Sequence, residues 1–410
     1  MSFPDLGKLK VLVSGEPIGE LESVGGGRTR FVPSTNGVAA GQHPPLGFSF
    51  LVSSEVRWAT GAAPVWFENL LPERGSRLRQ WICRQRGIRE TSSLALLAAL
   101  GRDLPGAVEV VGDTPEDPIG ELSGSEDSEL RFSLAGMQLK LSMLLSGDRF
   151  VFPARGQSGA WIVKIPGERF QDLPEVEAAT MRWAQETGLV VPDFHILPIE
   201  RLSGVDAALL GEPRSAFAIR RFDRQAEGRV HQEDFAQALE FRPDNKYGDQ
   251  QPGATYDSLA RLVSDLCHEK DRLEYIARLA FVVASGNDDA HLKNWSFQWS
   301  YEHRPWLSPC YDMVATVSWP EFGWDRKIAP HLSLSLGKEK SFAELDRRCL
   351  EKFAQRSGQS DAVDLFMHSL ERARLAWESV AERAPQRMVD GIVRHWSQVP
   401  LLRSIGSLRK

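Results

Sequence analysis

Cysteine is scarce in these 410 residues. The four thiols, Cys83, Cys267, Cys310 and Cys349, stand far apart and form no C-x-x-C pair. That excludes a disulfide framework and a zinc knuckle, and leaves reduced, buried thiols as the expectation. No run of eighteen apolar residues occurs, and Met1-Ser2-Phe3-Pro4-Asp5 lacks the basic and apolar regions of a secretory signal. A membrane partner is therefore not expected, and the expected location is the cytoplasm. An excess of positive charge is missing too. With a formal net charge of -6, the chain is no general nucleic-acid coat, which needs a basic face to neutralise phosphates; a local basic patch stays open.

What is present is concentrated in residues 286–294, Gly-Asn-Asp-Asp-Ala-His-Leu-Lys-Asn. This polar stretch follows an apolar helical run (Tyr275, Ile276, Leu279, Ala280, Val282, Val283) that would hold it at a core edge. Asp289 and Asn294 have the spacing between base and metal-binding amide in a kinase catalytic loop. A carboxylate there can face an attacking hydroxyl while an amide oxygen a turn later holds magnesium. A second acid should follow, and Asp312 does, in Pro309-Cys310-Tyr311-Asp312-Met313. Alone, D-x-x-x-x-N more often describes a solvated loop with a helix cap. The order of the parts upstream decides between them.

Residues 8 to 60 alternate as short strands separated by glycine and proline clusters, an antiparallel β-rich lobe. Around Arg77-Leu78, Trp81-Ile82 and the leucines 94, 96, 97 and 100 the period becomes helical, and Gly101 closes the run. Residues 112–130, rich in Asp, Glu, Gly, Ser and Pro, read as a linker. Strands are then expected over 139–145, 149–153, 161–166, 190–197 and 216–224, with a helix over 173–187 that carries Glu177. The loop before the first of these has one glycine and no G-x-G-x-x-G; it could cover phosphates or be a plain surface hairpin. Lys164 stands alone in the apolar strand Trp161-Ile162-Val163-Lys164-Ile165-Pro166. Such a lysine either snorkels from an edge strand or finds a counter-charge, and the order Lys164 then Glu177 is that of the kinase lysine–glutamate pair. Beyond residue 225 helices dominate: one opening at Glu233-Asp234-Phe235, then 256–267, 271–284, 341–357, 359–384 and 385–396. Strands before helices give an α+β arrangement, bilobal and protein-kinase-like. The boundaries so read are 1–111, a linker 112–130, a nucleotide-binding region 131–225 and a helical lobe 226–410.

In this order the blocks resemble the HipA serine/threonine kinase toxins of bacterial toxin–antitoxin modules, over nearly the whole chain. In the N-terminal part the similarity is carried by Phe67-Glu68-Asn69-Leu70-Leu71-Pro72-Glu73 and by the run from Leu96 through Gly101-Arg102-Asp103-Leu104-Pro105-Gly106-Ala107. Further on it is carried by Ser133-Leu134-Ala135-Gly136-Met137-Gln138-Leu139-Lys140, Val163-Lys164-Ile165-Pro166, Arg221-Phe222-Asp223-Arg224, Gln232-Glu233-Asp234, Asp289-Ala290-His291-Leu292-Lys293-Asn294 and Tyr311-Asp312. The resemblance implies a HipA-like fold with ATP and Mg2+ as cofactors. Asp289 would be the catalytic base, Asn294 and Asp312 the magnesium ligands, and Lys164 the phosphate-binding lysine. Ala135, Gly136, Met137, Gln138, Leu139 and Lys140 would cover the nucleotide, and Arg220, Arg221 and Phe222 would form the hinge at adenine. His291, Lys293 and Tyr311 would line the nucleotide site, and Ser133 would be autophosphorylated.

The implied role is a growth-inhibiting toxin that phosphorylates an aminoacyl-tRNA synthetase. Its partner would be a HipB-like helix-turn-helix antitoxin, with operator DNA contacted mainly through that antitoxin. An alternative is a catalytically idle corepressor on operator DNA, with Arg387, Arg394, Arg403, Arg409 and Lys410 near phosphates; a kinase for small molecules is a third. Retention of Lys164, Asp289, Asn294 and Asp312 together favours the enzyme.

Overall fold

The computed structural model describes residues 8–34, 43–112, 138–152, 158–205, 213–250 and 253–408. The chain divides into two compact units interleaved in sequence. The first is Met1–Gln171, Phe194–Asp244 and Gln298–Arg304; the second is Asp172–Asp193, Asn245–Phe297 and Pro305–Lys410.

Two large sheets dominate the first unit. In one, β1 (Lys8–Val13), β2 (Glu16–Ser23), β3 (Arg28–Pro33), β4 (Arg57–Thr60) and β5 (Val108–Gly112) lie in the order β4-β3-β2-β1-β5, every neighbour antiparallel. The two-residue turn between β1 and β2 needs left-handed backbone, and Ser14 (φ 52°) and Gly15 (φ 85°) supply it. Alternation buries Leu9, Val11, Val13, Leu21 and Phe31, which form one core with Trp66, Phe67, Leu96 and Leu97. Each such side chain contributes about 1.5–3 kcal/mol on burial.

The other sheet combines β6 (Gln138–Ser146), β7 (Arg149–Val151), β8 (Trp161–Pro166), β9 (Phe194–Pro198), β10 (Leu202–Ser203) and β11 (Ser215–Arg220). Their order is β10-β7-β6-β8-β11-β9, antiparallel except that β10 runs parallel to β7. One face packs Leu139, Leu141, Met143, Val163 and Ile165 on Trp81 and Ile82 of the helix Arg77–Arg86.

The second unit is mostly helical: Leu173–Glu186, Tyr256–Leu266, Glu269–Ser285, Arg347–Ser357, Ala362–Ala381 and Gln386–Gln398, with a hairpin His331–Leu336/Glu339–Ser341. Trp183 packs edge-on against Phe281 and tilted against Trp377, and its indole N–H donates to Ala373 O at 2.8 Å. The architecture is α+β, with a β-rich N-terminal part and a helical C-terminal region.

Several elements start or stop elsewhere than their sequence pattern suggests. The strand expected over 216–224 ends at Arg220, because the Arg221 and Arg224 side chains turn into a buried ionic cluster. The helix expected from Glu233 starts at Phe235: Glu233 is still in the strand His231–Asp234, and Asp234 caps the helix by accepting from Gln237 N. The strand expected from Val190 begins at Phe194, after Pro192. The helix expected from residue 341 begins at Arg347 behind its N-cap Asp346. Among the described residues no helix is long and apolar enough to cross a membrane, and all four cysteines are buried and in no disulfide. Of the linker expected over 112–130, only Gly112 is within the described residues.

Candidate active site

The helix Glu269–Ser285 delivers the polar loop rigidly, because its last carbonyls have partners and its exit is a sharp turn. Ala284 O accepts from Trp396 Nε1 at 2.9 Å and Val283 O from His395 Nε2 at 2.8 Å. Burial pushes the His395 imidazole down to about 4, so it is neutral and donates this hydrogen bond near neutral pH. Gly286 caps the helix at φ 61°. A Cβ there would lie 2.6 Å from the Val317 side chain, so glycine is required twice over.

The loop backbone is then fixed by side chains from distant parts of the second unit. Thr316 Oγ1 donates to Gly286 O and accepts from Asp288 N, both at 2.9 Å. Ser333 Oγ donates to Asp288 O at 2.6 Å, and Tyr256 OH donates to Ala290 O at 2.9 Å. Asn287, almost wholly buried, accepts from Asp289 N at 3.0 Å. The Asp288 carboxyl is pushed up to about 7, chiefly by burial and further by its neighbour Asp289. Near neutral pH it therefore puts less negative charge beside Asp289 than an ordinary aspartate would.

Asp289 and Asn294 are oriented against each other. Asn294 Nδ2 donates to Asp289 O at 2.7 Å, which turns the Asn294 carbonyl oxygen the other way, as a metal-binding amide requires. Asp289 Oδ1 accepts from Tyr247 OH at 2.7 Å and lies 3.8 Å from His291 Nε2; the Tyr247 and His291 rings meet edge to face. Nothing in the sequence pattern points to Tyr247, which is 42 residues away. Tyr247→Phe is expected to slow any reaction that uses Asp289 as base by about tenfold, the worth of one hydrogen bond to a charged group. Turnover measured alongside melting temperature checks this; an unchanged rate would mean that the hydroxyl only fills space.

Tyr311 and Met313 bring Asp312 to the same loop. Tyr311 OH donates to Lys293 O at 2.9 Å and is paired with Ser296 Oγ at 2.5 Å, while Asn287 Nδ2 contacts Met313 Sδ at 3.9 Å. Between them Asp312 has φ 54°, a left-handed conformation that a non-glycine residue adopts at a cost and that clusters at functional sites. Among the described residues no three His, Cys, Asp or Glu side chains form a metal cluster of their own. Magnesium, though, is commonly held by one or two protein groups plus substrate phosphates and water. The donor set Asn294 and Asp312 fits that pattern.

In the first unit, β8 lies between β6 and β11, so Lys164 is on a central strand and not at an edge. Its side chain is buried, on the face opposite the Leu139–Val163 core, with Lys140 and Phe217 directly across. Gln138, Leu139 and Lys140 open β6. Arg220 ends β11 exposed, whereas Arg221 is buried, with its guanidinium held by Asp103 and Asp223 and its backbone N–H by Ala160 O at 2.8 Å. Phe222 O accepts from Gln298 Nε2 at 3.3 Å. Ser133, Ala135, Gly136 and Met137 lie outside the described residues. Glu177 is buried on the helix Leu173–Glu186 of the second unit.

A β-rich part leading into a helical region that presents an Asp–Asn loop and a following Asp defines a protein-kinase-like class of protein. Residues 9–111 match the HipA N-terminal domain and residues 132–392 the HipA-like C-terminal domain. The chain belongs to the HipA family. It is 33% identical to "Putative kinase Y4dM" of Sinorhizobium fredii, over 98% of this chain and 99% of that protein. It is 28% identical to the serine/threonine-protein kinase toxin HipA of Shewanella oneidensis, over 62% of this chain and 63% of that one. The fold is similar to that of HipA in the Shewanella oneidensis complex of HipA, HipB and operator DNA: TM-score 0.72 at 20% identity, covering 97% of this chain and 99% of the other.

Proposed function

We propose that this protein is an ATP- and magnesium-dependent serine/threonine protein kinase acting as a HipA-type toxin. The observation that carries the reading is the Asn294 amide donating to the Asp289 carbonyl. On this reading one short loop supplies both the carboxylate that meets the acceptor and the amide oxygen that meets the metal. Asp289 takes the proton of the acceptor hydroxyl as its oxygen bonds to the γ-phosphorus and the bond to ADP breaks. Tyr247 and the 3.8 Å approach of His291 hold that carboxylate in place. Magnesium, when bound, neutralises phosphate charge, and Asn294 and Asp312 are the groups that would hold it. Lys164 orients the phosphates, residues 135–140 cover them, and residues 220–222 meet adenine. Lys293 and Tyr311 brace the loop, through a bond from the Tyr311 hydroxyl to the Lys293 carbonyl.

The finer assignments follow the family. They are an aminoacyl-tRNA synthetase as substrate, a HipB-like antitoxin through which operator DNA is reached, and Ser133 as a site of autophosphorylation. A phosphate on Ser133 would add about -1.5 to -2 charges at neutral pH, and these would compete with those of ATP for Lys164 and the magnesium ligands. The test is γ-phosphate transfer by the full chain with magnesium and ATP, with acceptors mapped by mass spectrometry. Transfer to serine or threonine is expected, and Lys164→Met should weaken ATP binding at least tenfold. A folded wild-type protein that turns over no ATP would sink the reading.

A further inference from the structure

One carboxylate from the HipA N-terminal domain spans three strands of the sheet that carries the candidate nucleotide residues. Asp103 Oδ1 accepts from Arg221 Nη1 at 2.9 Å and from Arg224 Nη2 at 3.0 Å. Its Oδ2 accepts from Ser142 Oγ at 2.6 Å and from Gly159 N at 3.4 Å. Ser142 is on β6, Gly159 lies two residues before β8, and Arg221 immediately follows β11; these strands are adjacent in the sheet. The approach is close, since a Cβ at Gly159 would lie 2.2 Å from Ser142 Oγ and 2.6 Å from Met143 N. Around Asp103 the loop is shaped to the same pair of guanidiniums. Leu104 O accepts from Arg221 Nη2 and Arg224 Nη2, and Gly106 O accepts from Arg224 Nη1.

We propose that Asp103 is a positioning residue for nucleotide binding. By joining β6, β8 and β11 at one end it sets the spacing between residues 138–140, Lys164 and residues 220–222. The N-terminal domain is then a working part of the nucleotide site. The proposal rests on the kinase reading above. It separates two quantities: the loop of residues 286–294 makes none of these contacts, so losing Asp103 should spoil nucleotide binding and spare the chemical step. Small misplacements of positioning groups are enough to matter.

The test is steady-state phosphoryl transfer and nucleotide calorimetry on full-length wild type, Asp103→Asn and Ser142→Ala. Asp103→Asn keeps the shape and loses the charge, and should raise the KM for ATP about tenfold with kcat at saturating ATP within about twofold. Ser142→Ala, which removes one contact, should show the same split at smaller amplitude, and it serves in place of Asp103→Asn if that variant does not fold. Hydrogen exchange should show lost protection in β6, β8 and β11. Wild-type KM in whichever variants fold overturns the proposal alone, as does a loss confined to kcat. A wild-type chain that neither binds nor turns over ATP fails the kinase reading, and the proposal falls with it.

Discussion

Asp289→Asn is expected to lower γ-phosphate transfer by about 10²–10⁴-fold, the usual worth of a positioned general base, and to melt where the wild type does. Both halves follow from how the loop is held. The bonds that fix its backbone come from Asn287, Asn294, Thr316, Ser333 and Tyr256, and none uses the Asp289 carboxylate. An amide of the same shape still offers Tyr247 an oxygen to donate to. What it cannot do is take a proton. Radiolabelled phosphate transfer beside a thermal melt decides the matter: near wild-type rates in a folded variant would remove Asp289 from the chemistry. A collapsed melting temperature would instead make the carboxylate part of the scaffold.

The candidate residues that can be read along the chain are those whose chemistry imposes a short spacing. A base and a metal-binding amide must share one loop, Asp289 and Asn294 stand five positions apart, and the apolar run before them marks the helix that holds them. A lone lysine among β-branched residues marks Lys164, although only the sheet order shows that its strand is central. Tyr247, Thr316 and Ser333 carry no such mark. Each reaches the loop from 28 to 45 residues away, and a tyrosine, threonine or serine has many ordinary uses at such separations.

The same holds for the blocks by which the family is recognised. Gly-Arg-Asp-Leu-Pro-Gly and Arg-Phe-Asp-Arg look like two unrelated motifs until Asp103 and Arg221 are seen paired across 118 residues. Glu233, likewise, is one hub of the first unit: it accepts from Phe48 N, Trp66 Nε1 and Trp299 Nε1. Burial pushes its carboxyl up to about 8 in spite of those donors. A pattern of hydrophobic periods has no means of pairing residues so far apart.

That cluster is also where the largest loss of stability is expected. Asp223 is buried, accepts from Arg221 Nη2, Arg224 Nη1 and Gly106 N at 2.9, 2.9 and 2.7 Å, and takes a second bond from Arg221 Nε at 3.0 Å. Asp223→Ala would leave two buried guanidiniums facing each other, with Asp103 alone to balance them, and would strand the Gly106 amide. Breaking a buried ion pair from one side costs about 3–5 kcal/mol, and urea unfolding of wild type and variant should show a gap of that size. The gap should also depend on pH in a defined sense. Burial by itself would raise the Asp223 carboxyl, but Arg221 and Arg224 outweigh it and hold the group below its ordinary value of 3.8. The folded protein therefore gives up this proton more readily than the unfolded chain does, and the stabilisation is fully present above 3.8. It is lost as the pH falls through the lower folded value, so the two unfolding curves should draw together only in strong acid. A gap under about 1 kcal/mol at neutral pH, the range of an exposed pair, would show that the cluster is solvated and that Asp223 holds nothing together.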